Sequence, residues 1–144
     1  MKKMAIKLLA SSIYNHHKTV NPFEVCKALD IETVFIPMPL KLKGYTTEKY
    51  RVKLIYINNR YPEVEQQFIC LHELGHILCK HEDNILFNQL YTYHRNSKEE
   101  NEANIFATYF ILSKYSAEQL SGFTVSQISQ LTGIDEKHLY LIYD

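Results

Sequence analysis

The chain of 144 residues predicts an α+β fold: a short sheet covered by helices, with a small helical unit at the C-terminal end. Three observations carry this. Two β-rich runs, 33–36 and 50–57, stand ahead of the helical part. From Pro62 to about Lys80, apolar or small residues recur at three- and four-residue steps (Val64, Phe68, Leu71, Gly75, Cys79), the period of a helix. Residues 103–112 are strongly apolar but too few to span a bilayer, which takes about 20, so they read as a buried core helix.

The elements follow in order. Residues 3–16 place Met4, Ile6, Leu8, Leu9 and Ile13 at helical spacing. Asn21-Pro22 starts a second helix, Asn as cap and Pro at the first helical position, running to about Leu29. The run 33–36 is a strand stopped by Pro37, and 41–49 reads as loop or irregular hairpin around Gly44. The strand 50–57 closes on Asn58-Asn59, residues with turn chemistry. After the central helix, residues 81–97 form a long polar, tyrosine-rich loop, a length often tied to function. Ser97 caps a helix reaching about Lys114, with Glu99 and Glu100 in its first turn. Short helices follow at 116–120, 125–131 and 136–143. The whole is one domain, 1–144, with a core of 1–115 and a helical subregion of 116–144.

Composition narrows the function classes. Sixteen basic and sixteen acidic side chains give a formal net charge of zero, so no basic excess points to direct nucleic-acid binding. Cys26, Cys70 and Cys79 are odd in number and lack disulfide-type spacing. They read as reduced thiols of a cytoplasmic protein. The start Met1-Lys2-Lys3-Met4 leads into an apolar stretch broken by Lys7, which is not a signal peptide. Neither membrane association nor an oligomeric state is indicated.

The chemistry lies on the central helix, at His72-Glu73-Leu74-Gly75-His76. Residues i and i+4 share a helix face, so both imidazoles can reach one metal ion at about 2.0–2.1 Å. Glu73 then stands beside the ion, placed to take a proton from an attacking water and return it to a leaving amine. Gly75 permits close approach of another backbone or a substrate. Composition alone yields the pattern by chance at roughly 3%, and the alternative is two surface histidines on an ordinary helix.

A third ligand is therefore required, since catalytic zinc usually has three protein ligands and one open position. Glu99, Glu100 and Glu102 are the candidates. Ala103, Ala107 and Ile111 define the buried face of their helix, and Glu100 and Asn104 lie on it. Small Ala103 and Ala107 let this helix pack closely near Gly75. Glu102 should point away, and Glu99 substitutes if the register differs. Asn104 either accepts a hydrogen bond from the second ring nitrogen of His72 or bonds to backbone.

His72-Glu-Leu-Gly-His76 followed by Glu100-Asn-Glu-Ala-Asn-Ile-Phe-Ala107 resembles the ImmA/IrrE family of metallopeptidases. More widely, it resembles zincins whose third ligand is a Glu on a downstream helix. The resemblance runs from about Gly44 onward and takes in Ile55-Tyr56-Ile57-Asn58 and Gln67-Phe68. It implies a zincin-like, gluzincin-type domain, with zinc held by His72, His76 and Glu100 and Glu73 as general base. Zinc is the expected ion, with Mn²⁺ able to serve in vitro. It also implies a phage, mobile-element or bacterial setting and a helix-turn-helix transcriptional repressor as protein substrate, cleaved to release transcription. The chain departs from the family at Phe110-Ile111-Leu112-Ser113-Lys114, where a Met-Pro segment is usual, which puts the local turn in question.

Other features carry less. Residues 117–143 resemble half of a helix-turn-helix, but Lys137 and His138 are nearly all the basic groups there, which favours packing or partner contact. His16, His17, His81, His94 and His138 read as surface or loop residues. Cys70, His72 and Cys79 lack the paired Cys-x-x-Cys of a structural zinc site. Tyr91 or Tyr93 would be placed to polarise a scissile carbonyl, and a sheet edge to hold an extended substrate. The rival from another class is a non-catalytic regulator that binds a repressor or toxin partner and uses zinc for folding.

Overall fold

A computed structural model describes residues 1–81 and 97–143. In chain order its elements are α1 (Lys3–His17), α2 (Pro22–Ala28), β1 (Ile31–Ile36), β2 (Gly44–Lys49), β3 (Val52–Asn58), α3 (Glu63–Leu78), α4 (Ser97–Leu112), α5 (Ala117–Leu120), α6 (Val125–Thr132) and α7 (Glu136–Leu139). The fold is α+β, with a three-stranded mixed sheet in the order β1-β3-β2. β1 runs parallel to β3, and β2 antiparallel to it. Among the described residues no helix is long and apolar enough to cross a membrane.

The sheet differs from the expectation in one respect. Residues 44–49 form edge strand β2 rather than loop or an irregular hairpin around Gly44, and Tyr50 and Arg51 form the turn rather than the start of a strand. Lys49 pairs with Val52 across that turn. Tyr50 and Arg51 have φ of 53° and 68°, the positive values a type I′ hairpin demands at both central residues. Asn-Gly usually supplies them, and at other L-residues left-handed backbone costs about 1–2 kcal/mol each. Tyr50, a β-favouring residue, thus masks a turn whose conformation pairing imposes.

Along β3, Ile55 and Ile57 are fully buried against the helices. On the opposite face Tyr56 stacks on Tyr45 of β2, ring centroids 4.6 Å apart. Asn58 ends the strand as a buried hub. Its Oδ1 accepts from the Met38 and Arg60 amides at 3.1 and 3.0 Å. Its amide nitrogen donates to the carbonyls of Met38, Pro39 and Leu42. One side chain thereby shapes the segment between β1 and β2.

α3 packs on the sheet and on α4, and α1 covers the far side of α4. Ile6, Ala10, Leu74, Phe106 and Phe110 are fully buried there, each large side chain contributing about 1.5–3 kcal/mol. A smaller cluster of Leu112, Ile128, Ile134 and Leu139 organises α5–α7. That unit is locally well specified. Ser116 with Gln119 and Thr124 with Gln127 form reciprocal caps, and Gly133 ends α6 at φ 78°, a value that suits glycine.

Candidate metal centre

The site depends on how closely α3 and α4 approach. A Cβ added at Gly75 would lie 3.1 Å from the Ala103 Cα and carbonyl oxygen and 3.2 Å from the Phe106 Cβ. Glycine on one helix and alanine on the other therefore set the spacing. At that spacing the first turns of α4 face the end of α3 that carries the histidines.

His72 and His76, one turn apart, meet edge to face with ring centroids 4.7 Å apart. Their Nε2 atoms lie 3.1 Å from each other. Glu100 closes the triangle, with one carboxylate oxygen 3.2 Å from His72 Nε2 and the other 2.9 Å from His76 Nε2. A tetrahedral zinc with bonds of about 2.0–2.1 Å sets its ligand atoms about 3.3 Å apart, close to the spacing of the two imidazole nitrogens and of each from its Glu100 oxygen. Potential ligand atoms of His72, Glu73 and His76 also gather within 4.8 Å. Glu73 comes to 4.0 Å from His72 Nε2, farther than the Glu100 carboxylate does.

Charge points the same way. Glu73 and Glu100 bring two carboxylates to two imidazoles. Burial lowers the His72 pKa, but the Glu100 hydrogen bond, the charges of Glu73 and Glu100, and Asn104 outweigh it, and the net shift is upward. Burial raises the Glu100 pKa, yet hydrogen bonds to both histidines carry it well below the usual carboxylate range. The cluster attracts a cation, whether proton or metal ion.

Each imidazole has a partner on its other nitrogen. Asn104 Oδ1 lies 2.7 Å from His72 Nδ1, so that nitrogen donates and Nε2 is turned toward Glu100. His76 Nδ1 lies 2.8 Å from Nδ1 of His81, and His81 Nε2 lies 2.8 Å from a carboxylate oxygen of Glu102. Glu102 also meets the Met1 ammonium at 2.7 Å.

A groove of ≈ 1150 Å³ opens over His72, Glu73 and Glu100. Gly44 stands on one side and α7, with His138, on the other. His138 stacks on Phe68, one turn before His72, with centroids 4.5 Å apart and planes 7° from parallel.

Residues 26–120 match the IrrE N-terminal-like domain of peptidase family M78. The chain belongs to this family. The M78 match begins earlier than the Gly44 boundary seen in the sequence, taking in β1, and stops before α6. The chain is also 28% identical, over 138 residues, to an uncharacterized immunity region protein 2 of Bacillus phage phi105, covering 94% of this chain and 87% of the phage protein.

Some expectations need correction. Glu102 does turn away from the metal cluster, but not to solvent: it is 6% exposed, because α4 is packed between α3 and α1 and has two buried faces. His81 is not a surface residue; its side chain is 7% exposed. His138 lines the groove. The three cysteines are free thiols: Cys70 Sγ lies 3.6 Å from Cys26 Sγ, and burial pushes the Cys79 thiol up to about 11. Tyr91, Tyr93, His94 and most of the long loop lie outside the described residues. One signal for His81 was available: it follows the motif helix directly, five residues past His76.

Proposed function

We propose that this chain is a zincin-like, gluzincin-type zinc endopeptidase. Its substrate is a helix-turn-helix repressor of a phage or mobile element, which it cuts to release transcription. One observation carries the reading: Nε2 of His72, Nε2 of His76 and the Glu100 carboxylate converge within 3.2 Å on the floor of a groove, with Glu73 alongside. Similarity to a phage immunity region protein supports the setting.

His72, His76 and Glu100 would hold the ion, which when bound supplies a Lewis acid for the scissile carbonyl and a more acidic water. Glu73, 4% exposed, takes the proton of the attacking water and passes it to the departing amine. Asn104 keeps the His72 ring in register. Edge strand β2 offers backbone groups to an extended peptide, and Gly44 at its start borders the groove.

The test is incubation with the neighbouring repressor and Zn²⁺ or Mn²⁺, followed by mass spectrometry of the products. Glu73→Gln should keep zinc and lose about 10²–10⁴-fold in cleavage rate. Zinc binding without cleavage by the wild type, or cleavage unchanged in Glu73→Gln, would sink the peptidase mechanism.

A further inference from the structure

We propose that His81 and Glu102 position His76, holding it in the tautomer whose Nε2 lone pair faces the metal. The inference rests on the metal reading above and assigns the two residues behind it. His76 is 1% exposed, so water does not set its tautomer; its neighbours do. The atom facing its Nδ1 is another imidazole nitrogen, His81 Nδ1, at 2.8 Å. Of two nitrogens so placed, one must carry the proton and the other must accept it.

Glu102 breaks the tie. An ionised carboxylate is acceptor-only. The other oxygen of Glu102 lies 2.7 Å from the Met1 ammonium, so Glu102 meets His81 as an acceptor. In its neutral form His81 turns Nε2–H toward Glu102, 2.8 Å away, and has only a lone pair left at Nδ1. With His76 donating from Nδ1, its Nε2, which faces Glu100 at 2.9 Å, can give its proton up to an ion and serve as the ligand. A carboxylate at the far end of two rings thus fixes the proton on the metal-binding histidine. Histidine ligands commonly rely on a single carboxylate or carbonyl for this; here a second imidazole spans the gap between α3 and α4.

The experiment uses the full chain. Zinc affinity is measured by competition with a chromophoric chelator for wild type, His81→Leu, His81→Asn and Glu102→Gln, with thermal unfolding of each metal-free protein beside it. Asn and Leu have nearly the same shape, but only Asn puts an acceptor where Nδ1 was. His81→Leu should weaken zinc binding about 10–100-fold, and His81→Asn should recover most of it. Glu102→Gln, which keeps an acceptor but loses the charge, should fall between. If Leu binds as tightly as wild type, or Asn as weakly as Leu, the positioning role is overturned while the metal centre stands. If wild type binds no zinc, the metal centre falls and the relay with it. Where the Leu variant does not fold, ¹⁵N NMR of zinc-loaded wild type decides. His81 protonated on Nε2 supports the relay, and His81 protonated on Nδ1 overturns it.

Discussion

The larger core and the C-terminal unit do different work at one groove. The core joins α1, α2, the sheet, α3 and α4 through more than a dozen buried side chains. All of the candidate ligands stand on its α3–α4 pair. The C-terminal unit is held by Leu112, Ile128, Ile134 and Leu139 and contributes no ligand, only a wall carrying His138. The candidate metal site thus lies in the deeply packed region, and one wall of its groove in the smaller one. The two should be separable by mutation.

The largest effect is expected at the α3–α4 joint. Phe106 is fully buried, lies beside Gly75 and stacks with Phe110 at 6.1 Å. Phe106→Ala should cost about 3–5 kcal/mol in chemical denaturation and take zinc binding down with it. Leu139→Ala, also at a fully buried position, should cost about 2–5 kcal/mol locally. Hydrogen exchange should show that loss confined to α5–α7, with zinc affinity unchanged and KM for the peptide raised. A fall in zinc affinity in Leu139→Ala would show that the two regions are not separable. Gly44→Ala comes next. Its Cβ would meet the Tyr56 carbonyl oxygen at 2.7 Å and Ile69 Cγ2 at 2.9 Å, so β2 must shift, at about 1–3 kcal/mol. A melting temperature equal to wild type would show that the groove edge is compliant.

The same division decides what could be read from the sequence. His72, Glu73 and His76 were legible because a helix repeats its faces and the motif lies within one turn. Glu100 was legible through Ala103 and Ala107, small residues that mark where two helices touch. Glu102 and His81 were not. The α4 pattern identifies one buried face, but α1 covers a second, and no periodicity tells which charged residue will end up between helices. β2 escaped because Gly44-Tyr45-Thr46-Thr47-Glu48-Lys49 carries few apolar side chains, as an edge strand does, and its burial comes from tertiary pairing. His138 escaped because its position depends on how a capped four-residue helix packs back onto α3, a long-range event.

The smallest effect concerns that contact. His138 lies on Phe68, and among the described residues its buried Nδ1 has no hydrogen-bond partner. Burial is the main force lowering its pKa, to about 4. Lys137, His72 and Lys43 act in the same direction, and only Asp135 opposes them. In the unfolded chain a histidine titrates near about 6.5. Between the two values the unfolded state binds the proton and the folded state does not, so stability is full above the unfolded value and is lost as pH falls toward the folded one. The loss should be about 1–3 kcal/mol after discounting for solvent. His138→Phe keeps an aromatic ring over Phe68 and removes the titration. The difference in unfolding free energy between wild type and this variant should therefore change between pH 6.5 and 4, and stay flat above. Because the stack joins α7 to α3, the acid-sensitive step should be lifting of the C-terminal wall, seen as faster hydrogen exchange in α7 before the core opens. A difference that does not vary with pH would mean that His138 is solvated, and that the wall is already loose at neutral pH.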